Sequence, residues 1–199
     1  MGSRPNIKIP QPAIVLNSQD FPSTKRGGYR MANTYDVSAS HSPAHMMGWA
    51  AEVMKGFKKD GAKSITMIIN CHGRERSVTR ADGTKFSSGG FGLKIGTGIY
   101  SEEDVNCFRS VMPYVDYIIL SACRIAEITN PGERWNGDGN LFCCAIAKAA
   151  ISVLYCSSGT QYQTEDTPDN HIDPLNGTWF RYTGLGNCDF HGNFPNDKW

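Results

Sequence analysis

Two apolar runs, Ile65-Thr66-Met67-Ile68-Ile69-Asn70-Cys71-His72-Gly73 and Tyr117-Ile118-Ile119-Leu120-Ser121-Ala122-Cys123-Arg124, constrain this chain more than any other feature. Such runs, rich in β-branched and aliphatic residues and without polar alternation, read as strands buried on both faces, the pattern of a parallel α/β sheet. Each ends in a side chain able to do chemistry, and His72 and Cys123 lie 51 positions apart. In open α/β sheets the carboxyl ends of the strands are where ligands and catalytic groups collect.

The rest of the chain supplies the partners such strands need. Ala13-Ile14-Val15-Leu16 after Pro12 reads as a first strand, followed by a polar loop over 18–40 that would wall a site. Ser42-Pro43 marks a helix start, and Met46, Met47, Ala50, Val53, Met54 and Phe57 recur at helical spacing until Gly61. The strand before and the His-bearing strand after make a right-handed β-α-β unit. Between 74 and 100 frequent glycines predict hairpins beside the sheet. Ser101 with Asp104 resembles a capping box, opening a helix that stops at Pro113. After Cys123, a Pro, Gly and Asn rich loop over 129–140 leads to an apolar helix over 141–149 and a strand over 151–156. Beyond 160 only Trp179-Phe180-Arg181-Tyr182 reads as a strand, so we expect one domain with its core over about 12–160 and an irregular extension over 161–199.

Charge and cysteine use narrow the function classes. Twenty basic and 19 acidic residues without long runs imply neither a polyanionic nor a basic partner, so no nucleic-acid partner is expected. No apolar stretch is long enough to span a bilayer and no signal-peptide core is visible, so a cytoplasmic protein without a membrane partner is expected, with signal-independent export left open. Seven unpaired-looking cysteines read as reduced and mostly buried. The lone C-x-x-H at Cys188-Asp189-Phe190-His191 is too weak for zinc, and the glycine pairs miss dinucleotide-loop spacing, so neither metal nor cofactor is expected.

A thiol attacks as thiolate and needs a base beside it, because an unperturbed cysteine (pKa about 8.5) is only slightly ionised near neutrality. His72 supplies that base if the two strands neighbour each other. Gly73, lacking a Cβ, lets its N–H approach a substrate oxygen, and the N–H of Cys123 completes an oxyanion hole. Cys71 alternates to the other sheet face and is read as packing.

Ser121-Ala122-Cys123-Arg124, with His72-Gly73 upstream at another strand end, resembles the caspase-like cysteine peptidases, and most of all their bacterial CHAT branch, over about residues 12–160. The resemblance implies a three-layer caspase-like sandwich, a mostly parallel sheet flanked by helices with a hairpin insertion. It implies a His72–Cys123 dyad that cleaves protein or peptide substrates through a thioester. It also places Ser121, Ser157, Ser158 and Gly159 at the pocket for the residue before the scissile bond, and makes 129–140, with Arg134, a candidate for self-cleavage. Asp20 and Asp36, in the loop after the first strand, would make that pocket acidic. The chain departs from the family in carrying Ser121 where relatives have Gln or an acid, and Ile125 where they have Gly. Two alternatives stand beside this reading: a non-catalytic interaction module of the same fold, and an α/β nucleotide-binding or transferase domain.

Overall fold

In a computed structural model, residues 5–20, 28–79, 81–161 and 167–191 are described. The elements in order are β1 (Ile7–Lys8), β2 (Ala13–Ser18), β3 (Asn33–Val37), α1 (Pro43–Lys59), β4 (Thr66–Gly73), β5 (Arg76–Thr79), β6 (Lys85–Ser88) and β7 (Leu93–Lys94). There follow α2 (Glu102–Asn106) with a 3-10 turn (Cys107–Ser110), β8 (Tyr117–Ala122), α3 (Gly139–Ala150), β9 (Val153–Ser157), β10 (His171–Ile172), β11 (Trp179–Tyr182) and β12 (Cys188–His191). The main sheet runs β12-β11-β9-β8-β4-β2-β3, with β7 added at the tip of β4. Strands β3, β2, β4, β8 and β9 are parallel; β11, β12 and β7 join antiparallel. The chain is therefore an α/β protein with a mixed, mostly parallel sheet and, among the described residues, three α-helices.

The apolar runs form the centre because both of their faces are covered. One set of alternating residues, Ile14, Leu16, Met67, Ile69, Cys71, Ile118, Leu120 and Leu154, packs against Met46, Met47, Ala50 and Met54 of α1, Phe108 of the 3-10 turn, and Phe142, Ile146 and Ala150 of α3. The other set, Ala13, Val15, Ile68, Ile119 and Tyr155, meets Ile9, Tyr29, Met31, Ile172, Leu175 and Trp179. Flanking helices thus cover one face, and extended chain covers the other among the described residues. The small β1/β10 ribbon, with Ile7 opposite Ile172, belongs to that second cover.

Local signals act as their chemistry dictates. The Ser42 side chain accepts from His45 N–H with Pro43 in the first turn of α1, and Ser101 and Asp104 form a reciprocal capping box on α2. The glycine-rich segment folds into the β5/β6 hairpin and the β7 strand.

Three boundaries differ from the sequence reading. Within the expected 18–40 loop, Asn33–Val37 is an edge strand in parallel register with β2; its polar residues face solvent, so it carries no apolar run. Ile151 is the left-handed residue ending α3 (φ 47°), which delays β9 to Val153. The described part of 161–199 contributes β10, β11 and β12, of which β11 pairs antiparallel with β9 and β12 antiparallel with β11, widening the main sheet. Among the described residues no helix is long and apolar enough to cross a membrane.

Candidate active site

Strands β4 and β8 pair in parallel register from Thr66 opposite Tyr117 to Cys71 opposite Ala122. His72 and Cys123 directly follow that last pair, His72 still within β4 and Cys123 in the turn that ends β8, and the two tips meet where Gly73 packs against the Cys123 backbone. Ile68, Asn70 and His72 share one face with Ile119 and Ser121, since Ile68 and Ile119 pair in register and pack in the same cluster. Cys71 faces the helices, fully buried, and burial drives its thiol far above the ordinary range. It is packing, as its alternation requires.

Gly73 is needed for this approach. A Cβ there would lie 1.8 Å from the carbonyl oxygen of Cys123, so any side chain would wedge the two strand tips apart. On the other side of β4, β2 stops pairing at Asn70 and β7 takes over, with Lys94 opposite His72 and Leu93 opposite Gly73. Half-buried His72 directs Nε2 to the backbone carbonyl of Asp20 at 3.1 Å. A carbonyl only accepts, so Nε2 is the donor in this contact, which fixes the orientation of the ring. The Asp20 carboxylate, meanwhile, pairs with Lys94 at 2.9 Å and takes the Ser18 hydroxyl. Burial pushes the Asp20 carboxyl up, but Ser18, Lys94 and His72 together outweigh it and hold it below its usual value. Asp20 thus stands beside the imidazole, where the sequence reading had it colouring the substrate pocket.

Cys123 is half-buried, and its sulfur sits against the backbone of Gln161, with Sγ donating to the carbonyl at 3.6 Å and the Gln161 N–H donating back at 3.3 Å. Burial, first, and the Glu75 carboxylate raise its proton affinity; the N–H groups of Gln161 and Cys123 and the Arg124 charge oppose this without reversing it. The thiol at rest is therefore protonated near neutrality. The next residue, Arg124, adopts φ 51°, so the turn after the thiol is made at 124 and Ile125 drops into the helix-side core. Arg124 is fixed by its N–H to Gly159 O (2.9 Å) and by its guanidinium to Ser87 O (2.6 Å) and Glu127 (2.7 Å).

The pocket candidates divide. Ser121 is buried on the dyad face, one side-chain step below Cys123, where it supports the Tyr29 phenol. Ser157 is fully buried and accepts from the Gln161 side chain; that side chain also donates to Gly159 O (2.8 Å) and Asn176 O (3.2 Å). Ser158 is tied to Thr178 O (3.0 Å) and Gly159 is pressed against Asn176. These four lie beside or beneath Cys123. Asp36 does not: on edge strand β3, three strands or roughly 14 Å away, it binds Arg30 and the Asn17 amide. The 129–138 loop is closed by Thr129 and Asn130 N–H groups on Gly137 O and by Gly132 N–H on Asp138, with Arg134 exposed.

Sequence reasoning missed a buried polar layer beneath the dyad. Asn17 accepts from Tyr29 N–H (3.1 Å) and the Asn70 amide (2.9 Å) and donates to Tyr29 O (2.9 Å). The Tyr29 phenol, driven far up by burial and by Asp173, lies against that buried carboxylate, which also takes the Thr167 hydroxyl at 2.9 Å. A signal was present: Leu16-Asn17, Ile69-Asn70 and Leu120-Ser121 each put a small polar residue at the end of an apolar strand. Among the described residues no cluster of three or more His, Cys, Asp or Glu is placed to hold a metal.

No protein-family model matches the chain, and no curated protein matches it at a significant level.

Proposed function

We propose that this chain is a cysteine endopeptidase of caspase-like type, acting through His72 and Cys123. The observation that carries the reading is that the two residues directly follow the last registered pair, Cys71 opposite Ala122, at the carboxyl ends of adjacent parallel strands, with Gly73 packed against the Cys123 backbone. His72 takes the Cys123 proton and the thiolate adds to the scissile carbonyl carbon. The oxygen, now negative, is held by the N–H groups of Gly73 and Cys123. One such donor typically contributes about 3 to 4 kcal/mol to the barrier. His72 then returns the proton to the departing amine, leaving a thioester; water, deprotonated by His72, adds to it and releases acid and free thiol. Asp20 O, accepting from Nε2, holds the imidazole in orientation. Because the resting thiol is pinned to Gln161, substrate must displace that contact before attack.

A peptide-library cleavage profile tests the reading. Cys123→Ala is expected to abolish cleavage, and His72→Ala to slow it by roughly 10² to 10⁴. Cleavage by Cys123→Ala at the wild-type rate overturns the assignment. Self-cleavage in 129–140 is read in the same samples by intact mass. One observation favours a second reading, the non-catalytic module: the raised proton affinity of Cys123. Under that reading neither the library nor a haloacetamide probe in the presence of peptide distinguishes Cys123 from the other thiols.

A further inference from the structure

On the helix side of the sheet, away from the dyad, a groove of about 170 Å³ opens between α2 with its 3-10 turn, α3 and the loop that precedes α3. Its rim carries three cations from three separate elements: Arg109 of the 3-10 turn, Arg134 of the loop and Lys148 of the last turn of α3. All three are exposed, and none takes part in an ion pair among the described residues, whose pairs involve other lysines and arginines. One carboxylate, Glu102, shares the rim, where the first turn of α2 suits it. Trp135, half-buried, forms the wall, edge-on to Phe142 and with the Arg134 guanidinium 5.5 Å from its ring centre. The α3 carboxyl terminus explains Lys148 alone, since a cation is favoured in a last turn. It does not explain why Arg109 and Arg134 turn to the same opening.

We propose that this groove binds a compact phosphate anion of diphosphate size, a site independent of the peptidase reading. Two guanidinium forks and an ammonium match clustered phosphate oxygens, and a ligand with two or more negative charges offsets the crowding of three cations. The groove is large enough to seat two phosphoryl groups among these side chains. Such a ligand bridges the loop to both helices. Thr129 and Asn130 are already closed onto Gly137, so holding Arg134 and Trp135 stiffens the whole segment from 129 to 138.

The test is calorimetric titration of the full chain with inorganic pyrophosphate at low salt, with sulfate in parallel and Trp fluorescence as a second readout. Expected are one saturable site, at least tenfold weaker binding for each of Arg109→Gln, Arg134→Gln and Lys148→Gln, and unchanged binding for Lys55→Gln on α1. Sulfate should bind at least tenfold more weakly than pyrophosphate. Amide exchange over 129–138 should slow when pyrophosphate is bound. These substitutions are at exposed positions, and an unchanged melting curve confirms that each variant is folded. Absence of saturable binding, equal binding of sulfate, or an equal loss on Lys55→Gln overturns the proposal, the last because it would mark a diffuse field and no site.

Discussion

Replacing Gly73 with alanine puts the closeness of the β4 and β8 tips to a direct test. The added Cβ would fall 1.8 Å from the Cys123 carbonyl oxygen and 2.9 Å from its carbon, whereas real Cβ atoms essentially never come within 3.0 Å. Both obstacles are backbone, so no rotamer change relieves them, and the strand tips must separate by roughly 1.2 Å. The φ of Gly73 lies outside the left-handed region, so the cost is steric alone. Overpacking of a fitted site typically costs about 1 to 3 kcal/mol. Gly48→Ala in α1 is the counterpart: nothing lies within 4 Å of its Cβ, and a helix interior gains about 0.5 to 1 kcal/mol from the exchange. Urea unfolding followed by circular dichroism should therefore move the two midpoints in opposite directions with unchanged slope. If the peptidase reading holds, the displaced Cys123 also loses rate by on the order of 10², the usual effect of a 1 Å misplacement. A Gly73→Ala protein within about 0.5 kcal/mol of wild type would refute the argument, because the two tips could not then be in contact.

Three further outcomes follow from the same reasoning. Asn17→Ala removes the partners of the Tyr29 N–H and carbonyl in a buried setting and should cost about 2 to 4 kcal/mol in urea unfolding. Ile151→Gly frees an exposed β-branched residue from φ 47° and should stabilise by about 1 kcal/mol, raising Tm by about 2 to 4 °C. The thiols of Cys71, Cys123 and Cys156 and the phenols of Tyr29 and Tyr182 all bind their protons more tightly folded than unfolded, burial being the first cause in each. Their contribution is complete below the unfolded values, about 8.5 for thiols, and fades as pH climbs towards the folded ones, so urea midpoints should fall steadily above about pH 9. Constant midpoints from pH 8 to 10.5 would contradict this.

What could be read from the sequence follows from which interactions are local. Caps such as Ser42 and Ser101 and the doubly buried runs of β2, β4 and β8 announce themselves within a few residues. Adjacent strands then bring His72 and Cys123 together once both runs join one parallel sheet. Edge strand β3 was hidden because an exposed edge needs no apolar run, and its hydrogen bonds come from β2. The Asp20 carbonyl and the Gln161 backbone were invisible for a different reason: main-chain groups carry no residue signature, and 52 and 38 positions separate them from the side chains they hold. Asp36 misled because a carboxylate in a polar loop looks the same whether it lies near the thiol or three strands away.

The second cover of the sheet has a consequence for how the molecule is made. It is sewn from both ends of the described chain: Ile7 lies against Ile172, and Tyr29 against Asp173, 144 positions later. A ribosome adding about 5 to 20 residues per second has delivered Cys123 several seconds before it delivers the residues that shut that face. The helix side can largely consolidate meanwhile, since α1, α2 and α3 all precede Ser152 and only Leu154, Cys156 and Tyr182 of its buried residues come later. For that interval Val15, Ile68 and Ile119 have only Ile9, Tyr29 and Met31 as cover, and Cys123 lacks Gln161 until synthesis has passed it. The nascent chain thus carries a sticky, chemically open side that only its last quarter can close.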